Sequence, residues 1–143
     1  MKAITLYQPW ATLWALGIKK NETRTWNTLH RGPLFIHAGK AVIRVPDDVT
    51  RLTKKLAGEY VHNLPRGVIV GAVNLYQSRP ITSEDLRFMP KDEIALGDWS
   101  NTRFAWLGSN HQIIKPIPCR GRQGLWNIPK ELEDRLRRKL EAL

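Results

Sequence analysis

The sequence predicts an α+β fold: a small β-barrel or curved mixed sheet with helices inserted between its strands. Three observations point there. About five to seven short segments are apolar or alternate in the way strands do. Stretches with helical spacing and capping residues separate some of them. The two kinds of element do not follow one another as regular strand–helix–strand units, which argues against a doubly wound parallel sheet. At 143 residues, 42 % of them hydrophobic, the chain suits one domain, residues 1–143, around one core.

In chain order, "AITLYQP" is a short first strand that ends before Pro9. "PWATLWALG" is a helix with Pro9 in its first turn and Gly17 at its C-terminal cap. Trp10, Leu13 and Trp14, with Leu16 close by, have the spacing of a buried stripe. "ETRTWN" alternates, so a strand here turns Glu22, Arg24 and Trp26 to one face and Thr23 and Thr25 to the other. "RGP" at 31–33 is a turn, and "LFIHA" at 34–38 is a second strand paired with the first.

"VPDDVTRLTKKLAG" is a helix started by Asp47 or Asp48, with Val49, Leu52 and Leu56 as its buried stripe. "PRGVIVGAVNLY", residues 65–76, is the most apolar strand and is expected at the centre. Its Gly71 marks a bulge or a close backbone approach. "TSEDLRF" is a short capped helix. "IALGDW" leads into "RFAWLG", and "HQIIKPIP" and "GLWNIP" are two further strands around a "CRGRQG" hairpin loop. The tail, about 129–142, is a basic helix with Pro129 at its start and Leu132, Leu136 and Leu140 four apart.

The formal net charge is +10, from 23 Lys+Arg against 13 Asp+Glu. It is uneven: residues 1–40 carry +5, 41–66 carry +2, 67–100 carry −2 and 101–143 carry +5. Such a surface attracts polyanions through counterion release, so nucleic acid is the expected partner. Cys119 is the only cysteine, which excludes an intrachain disulfide and fits a reducing compartment. With no His or Asp beside it in sequence, it reads as a small, partly buried residue. The apolar segment 3–16 is interrupted by Gln8 and Pro9, is preceded only by Lys2 and lacks a small-x-small cleavage site, so no signal peptide is expected. Nothing has the length of a membrane span. The expected location is the cytoplasm. No spacing matches a metal site or a Walker phosphate loop, and no cofactor or metal is expected.

The chemistry concentrates in "GIKKNETRTW", residues 17–26, where Lys19, Glu22 and Arg24 follow an almost uncharged segment. Gly17, Lys19, Glu22 and Arg24 together spell G-x-K-x-x-E-x-R. With "QPWATL", "TRTWNTLHRGPLFIHAGK", "GVIVGAVNL" and "QIIKPIPCRGRQGLW" around it, the chain resembles the ASCH domain family, for activating signal cointegrator homology. This is a branch of the PUA-like superfamily, and the pattern is nearest the transcriptional coactivator branch. The resemblance runs to about Ile128. It implies a small PUA-like β-barrel and a cleft lined by the motif, on a fold used to hold RNA or modified nucleosides. RNA is therefore preferred over other polyanions. Some relatives are enzymes: one bacterial branch hydrolyses the acetyl amide of acetylated cytidine, and ribonuclease activity is described in another. The amidohydrolase branch has threonine where this chain has Glu22, while its lysine matches Lys19. The resemblance also leaves open a protein-interaction adaptor of the coactivator type.

The residue types themselves suit a nucleotide. A guanidinium at Arg24 can fork onto a phosphate or stack on a base. Trp26 or Trp10 can supply an aromatic platform. The Glu22 carboxylate can accept from an amino group on a base edge. The plainer alternative is an ion-pair network that pins the helix–strand junction. Were the chain an enzyme, Lys19 and Glu22 are the catalytic candidates. An amine nucleophile has to be neutral, however, and an adjacent carboxylate opposes that. Of the scattered histidines His30, His37, His62 and His111, His37, close to Lys40, has two readings: it faces the same cleft, or, more plainly, it is a partly buried, hydrogen-bonded histidine. Arg120 and Arg122 flank Gly121 in a loop suited to phosphates, whereas "RLRRK" at 135–139 reads as a solvated helix face.

Overall fold

A computed structural model describes residues 1–141. Strand β1 (Lys2–Leu6) is followed by helix α1 (Trp10–Leu16), β2 (Asn21–Arg24) and β3 (Gly32–Ala38). Helix α2 (Asp47–Ala57) and one 3-10 turn (Val61–Asn63) precede the long β4 (Val68–Pro80). Helices α3 (Ser83–Phe88) and α4 (Lys91–Ala95) then lead to β5 (Phe104–Pro118), β6 (Leu125–Asn127) and α5 (Lys130–Glu141). The six strands form one curled mixed sheet in the order β2-β5-β4-β3-β1-β6. Only β1 and β3 run parallel. The edges β2 and β6 do not pair with each other, so the molecule is a half-barrel of α+β class. Among the described residues no helix is long and apolar enough to cross a membrane.

Both faces of the central strands are covered, and side-chain alternation distributes β3 between them. Leu34, Ile36 and Ala38 pack with Trp14 and Ala15 of α1. Phe35 turns the other way, into a cluster with Ile69, Ile117, Trp126 and Leu136 of α5. Gly17 ends α1 in the left-handed conformation at φ 75°, its N–H donating to the Trp14 carbonyl at 3.1 Å. The apolar strand at 68–80 is indeed central. Gly71 carries both features expected of it. The pairing register with β5 shifts beside it, and a Cβ there would collide with the Gln112 carbonyl oxygen and lie 2.7 Å from Ala15 Cβ.

Several local expectations change. Gly32 and Pro33 of the expected "RGP" turn already belong to β3, and β2 ends at Arg24, so Trp26 lies beyond that strand. In α2, Pro46 stands at the N-cap and Asp47 and Asp48 lie in the first turn. The α2 stripe is Val49, Leu52 and Thr53 with Ala57 packed beside it, while Leu56 is exposed. "RFAWLG" and "HQIIKPIP" are one strand, since β4 opposite is long enough to pair with all of it through three register shifts. The "CRGRQG" segment is not a hairpin turn. After β5 the chain crosses to the far edge, where β6 pairs antiparallel with β1. Helix α4 is not evident from the sequence. In the C-terminal helix Leu136 is fully buried, with Leu132 and Leu140 packed beside it, while residues 142–143 lie outside the described residues.

Candidate functional site

The turn at Gly17 brings the chain back beneath α1, and two side chains fix its path. Trp14 Nε1 donates to the Lys20 carbonyl at 3.0 Å. Glu93 of α4, itself buried, accepts from the Lys20 and Asn21 backbone N–H groups at 2.8 and 3.0 Å. Lys19 is thereby driven inside, with 0 % exposure. Its Nζ lies 5.4 Å from the centroid of the Trp14 ring and donates to Glu22 Oε1 at 2.7 Å. The same oxygen accepts from the Thr23 N–H at 3.0 Å. Glu22 Oε2 has no hydrogen bond among the described residues, and Arg24 Nη1 stands 3.7 Å from it. Lys19 and Arg24 thus both approach the Glu22 carboxylate, Lys19 from inside the fold rather than from the cleft in which all three are expected to meet.

Glu22 and Arg24 open onto a cavity of about 320 Å³ with Trp10, Tyr7, Asp98 and Arg103 in its wall. Lys19 lines none of the described cavities, for Glu22 stands between it and solvent. Arg103 Nη2 donates to the Thr23 carbonyl at 3.1 Å, and its Nη1 is 3.6 Å from Asp98 Oδ2. A second cavity, about 420 Å³, shares Leu6, Tyr7 and Arg24 with the first and is walled by Trp26. Trp26 packs edge-on against Trp106 at 4.8 Å, and the Arg24 guanidinium lies 5.9 Å from the Trp26 ring centroid. A third cavity, about 800 Å³, shares Thr5, Gly39, Arg122 and Gln123 with the second and adds Lys40 and Arg120. The three therefore run together as one trough.

His37 lies in the floor of that trough, 2 % exposed. Its Nε2 donates to the Cys119 carbonyl at 2.6 Å. Its Nδ1 meets Thr5 Oγ1 at 3.2 Å, and Thr5 Oγ1 accepts from Trp126 Nε1 at 3.1 Å. Burial holds the imidazole below its ordinary value, against the Cys119 bond. Both ring nitrogens are engaged within the protein, so neither is free to contact a nucleic acid or transfer a proton. Of the two readings of His37, this geometry is that of the buried, hydrogen-bonded histidine, which shapes the wall from beneath. Cys119 is a free thiol whose deprotonation burial disfavours.

Sequence reasoning missed Tyr7, Asp98 and Arg103. Tyr7 is half exposed and shared by two cavities. It was hidden in a segment that looks like the end of a strand. Asp98 and Arg103 reach the motif only through tertiary folding. Their one signal was the interruption "GDWSNTR" between apolar runs.

A small half-barrel whose first helix–strand connection buries a Lys–Glu pair at the head of a cationic trough is the class that fold and site define. The sequence profile of the ASCH domain matches residues 4–118, and the chain belongs to the ASCH domain family. It is 28 % identical over 136 residues to activating signal cointegrator 1 of Homo sapiens and 28 % identical over 137 residues to that of Mus musculus. Each alignment covers 90 % of this chain but only 22 % of the relative, so the chain spans about a fifth of those proteins. Among solved structures, ASCH from Zymomonas mobilis superimposes with a TM-score of 0.57 at 18 % identity, covering 99 % of this chain and 94 % of that one. A point mutant of the same protein gives 0.58 over 96 % and 94 %. At this identity the likeness establishes a shared fold.

Proposed function

We propose that the chain binds RNA, or a nucleotide within it, with a base in the Glu22–Arg24 cavity. One observation carries this reading. Glu22 keeps an oxygen without a hydrogen bond beside the Arg24 guanidinium, in a cavity of nucleoside size between Trp10 and Tyr7. The carboxylate would accept from a base amino group, the guanidinium would donate to a ring nitrogen, carbonyl or phosphate, and the aromatic side chains would cover the base face. The reducing cytoplasm suits the free thiol of Cys119.

Lys19 supports binding over catalysis. Enclosed behind Glu22, it would position the carboxylate and would not reach a substrate carbonyl. Acetylated cytidine mixed with the protein is expected to persist. The test is fluorescence titration of the wild type, Glu22→Gln and Arg24→Ala with a single-stranded RNA octamer at several salt concentrations. The expected result is wild-type binding that weakens log-linearly with salt and falls about tenfold or more in each variant. Equal affinity of all three proteins would reject the reading, as would any product formed from acetylated cytidine by the wild type.

A further inference from the structure

Charge is divided along the trough. The Glu22 end mixes two carboxylates, Glu22 and Asp98, with Arg24 and Arg103. The second and third cavities are lined by Arg24, Arg122, Lys40 and Arg120, with no carboxylate in either wall. A free nucleoside needs only the first part. A cationic channel continuing from it fits a chain of phosphates.

The 119–124 segment is also held in place on both sides of Arg120. The Cys119 N–H donates to the Gly67 carbonyl at 3.2 Å, and the Cys119 carbonyl accepts from His37 Nε2 at 2.6 Å. Gly121 sits against the same histidine. A Cβ there would fall 2.6 Å from His37 Cε1 and 2.7 Å from Thr5 Oγ1. Gly121 therefore faces inward, while Arg120 and Arg122 on either side are exposed. On the opposing wall the stem of Lys40 lies over Gly67, where an added Cβ would come 3.0 Å from Lys40 Cε. His37 is a positioning residue that seats this loop.

We infer that the Arg120–Arg122 loop and Lys40 form a phosphate-binding channel, so that the ligand is a single-stranded RNA segment of several nucleotides and not a free nucleotide. The inference rests on the nucleotide reading of the Glu22 end. A base enters there, and the strand's phosphates run past Arg24 toward Arg122 and Arg120.

The experiment compares a labelled single-stranded RNA octamer with each of the four ribonucleoside 5′-monophosphates, over a salt series. The proteins are the wild type, Arg120→Ala/Arg122→Ala, Arg137→Ala/Arg138→Ala and Gly121→Ala. The octamer is expected to bind at least about tenfold more tightly than any mononucleotide, as one or more additional charge-assisted contacts imply. Removing Arg120 and Arg122 should lower the magnitude of the octamer salt slope by about 1.4, two phosphates at about 0.7 each. The matched loss of Arg137 and Arg138 on α5 should lower it by less than half as much. Gly121→Ala, which changes no charge, should weaken the octamer several-fold and leave the mononucleotides unchanged. Octamer binding no tighter than mononucleotide binding, or an equal slope change from the two double variants, overturns the channel while leaving the base site standing. No binding of any probe overturns the nucleotide reading and the channel with it.

Discussion

Glu22 and Asp85 are both buried acids beside a cation at the edge of a cavity, yet they differ in what is left open. Both Asp85 oxygens are taken. Arg79 grips Oδ1 and Oδ2 at 2.7 and 2.8 Å, and the Thr82 N–H adds a bond to Oδ2 at 2.7 Å within the capping box that starts α3. That carboxylate joins the end of β4 to a helix and has nothing left to offer a ligand. Glu22 Oε1 is saturated in the same manner by Lys19 and Thr23, but Oε2 faces Arg24 across 3.7 Å, longer than a hydrogen bond. The difference teaches how a fastener is told from a site. Burial and ion pairing are common to both, and incomplete satisfaction marks the one that can take a partner.

The strongest way to break the comparison is to remove the inner cation. Lys19→Met leaves Glu22 buried without its closest partner, and the expected loss of stability is about 3–5 kcal/mol, measured by urea unfolding. Adding Glu22→Gln to that variant should recover much of the loss, because the uncompensated charge is then gone. Substitution at the saturated site should cost stability alone. Asp85→Asn is expected to lose about 1.5–3 kcal/mol, as for hydrogen bonds to a charged group, with RNA affinity unchanged.

Arg24→Ala should show the reverse pattern, losing about 1.5–3 kcal/mol of RNA affinity with little change in the urea midpoint. Arg137→Ala, whose exposed partner Asp134 lies 3.8 Å away, should change neither by more than a few tenths of a kcal/mol. Equal affinity losses from the two would reduce binding to net charge.

The smallest expected effect is in pH. The Arg79 fork, and after it the Thr82 bonds, hold the Asp85 carboxyl below its ordinary 3.8 while burial opposes them. Its folded value is depressed, so its contribution is complete above pH 3.8 and is lost as pH falls through the folded value. His37 is depressed by burial from 6.5, so the unfolded chain takes up that proton first and stability begins to decline below 6.5. Asp85→Asn should flatten the lower limb of the stability–pH curve and His37→Gln the upper one, each followed by thermal unfolding in a buffer series.

How much of this was legible in sequence depended on distance along the chain. Glu22 and Arg24 share a cavity because alternation in one strand is local, and Gly17 ends α1 because a left-handed cap is a local preference. The inward place of Lys19 was not legible, since it is set by Glu93, 73 residues away from Lys20. Nor was the crossover after β5. "CRGRQG" has hairpin composition, but β6 finds its partner in β1 at the other end of the chain. Two of the rules that failed, hairpin adjacency and the Leu56 stripe, judge a segment without knowing what lies opposite.

The most direct test of the central claim is a crystal structure of the complex with a short single-stranded RNA. A base amino group within hydrogen-bond distance of Glu22 Oε2, with a phosphate or base acceptor on Arg24, is the predicted result. RNA lying only on α5, with Glu22 Oε2 left unbonded, would contradict it.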